Sequence, residues 1–399
     1  MVNYDILFAV IFYAILFLYY LTHKDKFVVQ GKIFIMYRTK LGIQLMDKMA
    51  KAFPRLLSFL GYSGVLVGFI GMGFIFYILV KGTFMLLTVD NAVPVIAPVL
   101  PGVSIPGLPS LSFWHWILSI LIVATIHEFS HGILARVHGI KVNSSGFAFL
   151  GPILAAFVEP DEKEMEKSAK KKQLSVFAAG PFSNLLTGIV FLLISAFIFS
   201  PIAGSMVLHE GIQVVTVELG LPAAEAGLKA GDVITHVNGI GVTTTSSFTE
   251  LLSKTKPGDS ITITTPEKEF SIITKSNPNN SEKSYMGIFI SSVSTSIKEE
   301  VIQKYGWFLP SALLWTARLF EWLFLISVGI GLANLLPLGP VDGGRMMHTG
   351  LSTFIKHQGI LNKTWMTITV FTLILIFINL WPYLLKLILF LFGPLITLF

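Results

Sequence analysis

The chain is 399 residues long, 53% hydrophobic and only 13% charged, where a soluble domain carries about 25% charged residues. With a mean hydropathy of +0.73 it cannot cover its apolar surface in water, which excludes an ordinary soluble enzyme. The net charge of +6 sits mostly in loops beside apolar stretches, the pattern of cytoplasmic-side membrane anchoring and not of nucleic-acid binding.

The first apolar stretch, Tyr4 to Leu21, has no basic segment before it and no small-residue cleavage site after it, so it is expected to be a retained anchor. A basic loop follows at 23–56, with Lys24, Lys26, Lys32, Arg38, Lys40, Lys48, Lys51 and Arg55. The second span runs from about Leu60 to Leu87 and carries Gly61, Gly64, Gly68, Gly71 and Gly73, small residues that let helices approach closely in lipid. Loop 88–112 is proline-rich and has Asp90 as its only charge. The third span, Phe113 to Val137, contains His127, Glu128 and His131. Segment 144–158 is apolar but short and broken by Gly and Pro; a re-entrant loop or hairpin buried in protein is expected there. Loop 159–172 is rich in lysine, and the fourth span covers about Leu174 to Ile202.

Residues 203–300 break the membrane pattern. Polar and β-branched residues alternate at 213–218, 232–237, 260–264 and 269–274, with turn signals at Asn238-Gly239, Pro257-Gly258-Asp259 and Asn277-Pro278-Asn279. This predicts a small soluble β domain. The fifth span lies between Trp307 and Leu336, the sixth between Thr364 and Leu380, and Tyr383 to Phe399 is either a seventh short span or an interfacial helix. The expected architecture is a polytopic α-helical membrane protein of about six transmembrane helices with an inserted small β-rich domain. Its parts are 1–112, 113–202, 203–300 and 301–399. The basic loops all fall on one side if the N-terminus is outside, which makes that side cytoplasmic and the inserted domain extracytoplasmic.

The sequence has no cysteine, so any metal must be held by His and carboxylate ligands. His127-Glu-Phe-Ser-His131 is an HExxH. On a helix its two histidines share a face and can reach one metal ion, while Glu128 reaches the water that the metal makes acidic. The flanks are apolar, and three ionisable residues at membrane depth are functional by default. A catalytic zinc needs a third protein ligand. The candidate is Asp342 in Asn334-Leu-Leu-Pro-Leu-Gly-Pro-Val-Asp-Gly-Gly-Arg345, where Pro and Gly forbid a regular helix and the break must line a cavity. The bland readings are kept for the other histidines: His115 in an aromatic belt, His138 at the interface, and His348, six residues after Asp342, at the surface or capping in preference to supporting a metal ligand; His209, His236 and His357 have no partner by spacing.

The stretch Pro222-Ala-Ala-Glu-Ala-Gly-Leu-Lys-Ala-Gly-Asp-Val-Ile-Thr-His-Val-Asn-Gly239 resembles a PDZ domain. Together with the HExxH, the Asn334 to Arg345 segment and Gly180-Pro-Phe-Ser-Asn184, it makes residues 113–380 resemble the site-2 protease family. That resemblance implies an intramembrane metalloendopeptidase with one Zn2+ per chain, held by His127, His131 and Asp342. Glu128 would be general base and then proton donor to the leaving amine. Asn184 and Asn334 would stand near the site, bonding substrate backbone or oxyanion, or else capping the helix breaks. The partners implied are transmembrane protein substrates in a lipid bilayer, with a peptide C-terminus at the PDZ-like domain and no nucleic acid. The site would lie in the membrane toward the cytoplasmic side. A substrate helix must unwind before hydrolysis, and segment 144–158 is a candidate edge for pairing with it; a proline between Phe147 and Phe149 is expected to lower cleavage and leave zinc in place. Two alternatives share parts of this pattern. A catalytically silent scaffold has no use for Glu128. A metal-dependent transporter predicts internal repeats, which are not seen.

Overall fold

The structure, a computed structural model, describes residues 4–24, 27–30, 34–89, 92–101, 108, 111–150, 153–218, 220–277 and 280–396. Lys26, Lys32, Asp90, the Gly151-Pro152 break, the Pro278-Asn279 turn and the last three residues of the final apolar stretch lie outside the described residues.

Helix α1 (Tyr4–Thr22) is followed by two strands, β1 (Phe27–Gln30) and β2 (Phe34–Thr39), then by α2 (Ile43–Ala52) and the long α3 (Pro54–Thr88). Four glycines of α3 mark where it touches its neighbours. Gly61 lies under Ser175 and Leu134, Gly64 under Phe182, Gly68 under Met346 and Gly71 under Leu335, whereas Gly73 faces open space. Helices in lipid gain little from the hydrophobic effect, so close backbone approach through small residues is what holds them. The opposite face of α3 presents Phe59, Leu66, Ile70 and Phe74 outward, as a lipid-facing surface requires.

Helix α4 (Phe113–Val137) starts at Ser112, whose side chain accepts from His115 N–H, and gives way to Gly139 at φ +79°, a left-handed exit that favours glycine. Strands β3 (Val142–Leu150) and β4 (Ile153–Pro160), helix α5 (Glu162–Lys167) and helix α6 (Lys170–Ile194) follow. The expected hairpin at 144–158 is therefore β3–β4. It is part of a four-stranded sheet in the order β1-β2-β3-β4, with Tyr37 opposite Phe147 and Phe147 opposite Ala156. This corrects two expectations. The basic segment 23–56 is not only a loop but supplies β1, β2 and α2. The free edge beside α4 is β4, because β3 has a neighbour on each side. A proline at Phe147–Phe149 would break the interior of the sheet and would not test its edge.

A π-helical turn, Ser195–Phe199, leads into α7 (Ser200–Met206) and the inserted unit, which is compact by itself within Ala196–Ala317. Its elements are β5 (Val207–Val217), α8 (Pro222–Glu225), β6 (Val233–Ile234), β7 (His236–Val237), β8 (Ile240–Gly241), α9 (Thr245–Ser253), β9 (Ser260–Thr264), β10 (Glu269–Ile273), β11 (Lys275–Asn277), β12 (Asn280–Tyr285), β13 (Ile288–Ile297) and α10 (Glu299–Tyr305). Alternation decides which side chains point in: Ile261, Ile263, Phe270 and Ile272 are buried and their neighbours are not. Asn238 and Gly239 both have positive φ, at 50° and 77°, and join β7 to β8 as a type I′ hairpin turn.

Three helices complete the chain: α11 (Phe308–Asn334), α12 (Asp342–Phe354) and α13 (Gln358–Ile396). The sixth span and the final apolar stretch are one helix of 39 residues, continuous through Pro382. Among the described residues, five helices are long and apolar enough to cross a membrane, in α3, α4, the α6–α7 segment, α11 and α13. Helix α1 packs Phe12 and Tyr13 edge-on against Phe113, but its apolar run Leu7–Thr22 is shorter than these five, where six spans are expected from the sequence.

Candidate metal centre

One turn of α4 sets His127 and His131 on the same face, with their Nε2 atoms 3.2 Å apart. Oδ2 of Asp342 lies 3.0 Å from Nε2 of His127 and 3.2 Å from Nε2 of His131. Tetrahedral ligands at about 2.0–2.1 Å from a zinc ion stand roughly 3.3 Å apart, so this triangle is close to the size the ion needs. Two imidazoles and one carboxylate are a catalytic donor set with one position left open.

Asp342 reaches this point because the chain cannot stay helical through Pro337-Leu-Gly-Pro340. It leaves α11 at Asn334 and restarts as α12 at Asp342, where an N-terminal helix dipole favours a carboxylate. The two glycines that follow allow the tight return: at Gly343 and Gly344 the backbone of Leu335, Leu336 and Leu338 already fills the space of a Cβ.

Helix α6 supplies the floor. A Cβ on Gly180 would fall on Nε2 of both His127 and His131, so the residue must be glycine for the imidazoles to meet. The Val176 carbonyl accepts from Nδ1 of His131 at 2.7 Å, which leaves Nε2 of that ring free for the ion. Asn184, 0% exposed, sets its amide 3.0 Å from Nδ1 of His127. Its contact is thus with one of the two converging histidines. Asn334, at the end of α11, lines the cleft with Glu128, Ala156 and Val158, around a cavity of about 380 Å³. Glu128 accepts the Val158 N–H through Oε2 at 3.0 Å. A larger cavity of about 1020 Å³ shares Val158, Phe177 and Arg345 with the cleft.

Three other histidines, His115, His138 and His348, make different contacts. His115 is buried at the α4 N-terminus with Nδ1 2.6 Å from Ser112 Oγ. His138 caps the other end, 3.0 Å from Ser175 Oγ. His348 packs edge-on against Trp365. Sequence reasoning missed Gly180 and Val176 as parts of the site. For Gly180 the signal was present, a glycine one helical turn before Asn184.

Two buried histidines of the apolar helix α4 and the partly buried aspartate that opens α12 thus form a His-His-Asp group of the kind that can hold a metal ion. Residues 115–378 match the model of peptidase family M50, and the chain belongs to that family. It is similar to an uncharacterised protein of Methanocaldococcus jannaschii, 27% identical over 326 residues that cover 78% of this chain and 76% of that one. It is also similar to the zinc metalloprotease RasP of Shouchella clausii, 23% identical over 256 residues, 53% of this chain and 56% of that one. Among solved structures, the PDZ domain of an SdrC-like protein from Listeria monocytogenes is 25% identical over 21% of this chain and 90% of that domain, with a TM-score of 0.20.

Proposed function

We propose that this chain is an intramembrane zinc endopeptidase that cuts peptide bonds within or beside the transmembrane segments of other proteins. The observation that carries this reading is the convergence of His127 Nε2, His131 Nε2 and Asp342 Oδ2 within 3.2 Å of one another, next to the Glu128 carboxylate, on a helix apolar enough to span a bilayer. In this reading those three atoms hold one zinc ion. Two imidazoles and a carboxylate accept iron and cobalt as well, and zinc is the ordinary choice for hydrolysis. Bound zinc supplies Lewis acidity, which brings the acidity of water toward neutral pH and polarises the carbonyl to be attacked.

The rest of the chemistry belongs to the chain. The Val158 N–H holds one oxygen of Glu128 and so aims the carboxylate into the cleft. Glu128 takes the proton of the attacking water and hands it to the leaving amine nitrogen. Asn334 offers an amide to the substrate backbone. The substrate must arrive extended, since a helix hides its carbonyls in its own hydrogen bonds. The free edge of β4, which lines the cleft at Ala156 and Val158, offers backbone groups to pair with it. The lysine-rich segments argue that this cleft faces the cytoplasmic side and that the inserted domain lies on the other side, available to a peptide C-terminus.

Purified protein is expected to carry about one zinc per chain, and a strong chelator to remove zinc and cleavage of a single-span substrate together, with zinc restoring both. A stripped protein that still cuts at its former rate would sink the reading.

A further inference from the structure

The hydrogen bonding of the buried Asn184 amide does not balance. The Nε2 atoms of His127 and His131 converge with Asp342 Oδ2; with a zinc ion held between them, both rings offer Nε2 as a bare lone pair and carry their proton on Nδ1. For His131 this holds, because Nδ1 faces the Val176 carbonyl, which only accepts. For His127 the partner of Nδ1 is the terminal nitrogen of Asn184 at 3.0 Å, which only donates. That pairing would force the proton onto Nε2, into the space of the ion. It also leaves Asn184 Oδ1 buried with no hydrogen-bond partner, a costly state in an apolar interior. The two ends of an amide have nearly the same shape, and their assignment follows from the network around them. Exchanging them satisfies His127 and gives the oxygen its donor, and moves the nitrogen to the position where the oxygen had no partner. The residue is also held firmly in place, since Ser327 Oγ donates to its backbone carbonyl at 2.8 Å.

We propose that Asn184 is a positioning residue of the metal centre, whose side-chain oxygen accepts Nδ1–H of His127 and thereby turns Nε2 toward the metal. The proposal rests on the zinc reading above and assigns Asn184 to the ligand, not to the substrate.

The test is zinc affinity, read on the full-length protein by competition with a fluorescent chelator, for wild type, Asn184→Asp and Asn184→Leu. Asp keeps an oxygen toward Nδ1 and is expected to bind zinc at least as tightly as wild type. Leu keeps the volume without the acceptor and is expected to bind about 10- to 100-fold more weakly, the usual loss when the partner of a metal-bound histidine is removed. If Asn184→Asp loses as much affinity as Asn184→Leu, the amide donates and the proposal fails. If both variants bind like wild type, Asn184 acts elsewhere and the proposal fails. Should Asn184→Leu not fold, the comparison of Asp with wild type still decides between acceptor and donor. A wild type that takes up no zinc contradicts the metalloprotease reading itself and takes this inference with it.

Discussion

Gly180→Ala is expected to remove the metal and with it the activity, while leaving the helices in place. Alanine stabilises a helix interior relative to glycine by up to about 1 kcal/mol, so on local grounds the change should help. The added methyl, however, would sit on Nε2 of His127 and His131. Either the rings turn away and ligation is lost, or α6 moves back from α4, carrying with it the Val176 carbonyl and the Asn184 amide. A displacement of about 1 Å at a reacting centre costs on the order of 100-fold in rate. The expected result is helical content like that of wild type, zinc below stoichiometry, and cleavage reduced by about 100-fold or more. Full zinc occupancy with normal cleavage would mean that α6 does not form the floor of the site.

The second large effect concerns the sheet edge. Strand residues alternate in the direction of their backbone groups. Val158 N–H points to Glu128, away from β3, so Ala156 N–H points the same way, into the cleft. Ala155 N–H points the other way, into the β3 ladder. Ala156→Pro therefore removes a donor from the free edge and no bond from the sheet. Ala155→Pro breaks the sheet. If substrate pairs with β4, Ala156→Pro leaves a substrate carbonyl unmet, at a cost of about 1–3 kcal/mol or roughly 5- to 150-fold in kcat/KM. Its melting temperature and zinc content are expected to stay near wild type, whereas Ala155→Pro is expected to lower the melting temperature. Unchanged cleavage by Ala156→Pro would mean that substrate does not add to this edge.

Much of this was legible in the sequence because lipid imposes simple rules. Long apolar runs read directly as spans, and ionisable residues within one stand out, so His127, Glu128 and His131 needed no structure. Asp342 could be found because Pro337, Gly339 and Pro340 forbid a helix where one was otherwise expected. The alternation at 260–264 and 269–274 gave β9 and β10 to within a residue, and Asn238-Gly239 gave the β7–β8 turn.

What the sequence hid depends on contacts between distant segments. Strands β1 and β2 are short, at 4 and 6 residues, and lie in a basic stretch. Only pairing, β2 with β3 and β1 with β2, makes them strands. Which strand has the free edge is a property of sheet order, which no local pattern carries. The run through Pro382 looks like a break in sequence, yet α13 continues through it. The role of Asn184 depends on which atom it faces, and its neighbour His127 is 57 residues away.

The central claim is that Glu128 works on a peptide bond beside a metal held by His127, His131 and Asp342. The most direct measurement is cleavage of a tagged single-span substrate by purified wild type and Glu128→Gln, with zinc content determined for both. The expected result is that both hold about one zinc per chain, that the wild type cuts within or beside the span, and that the variant does not cut. If both hold zinc and neither cuts any of a panel of spans, or if the variant cuts as well as wild type, the claim is contradicted.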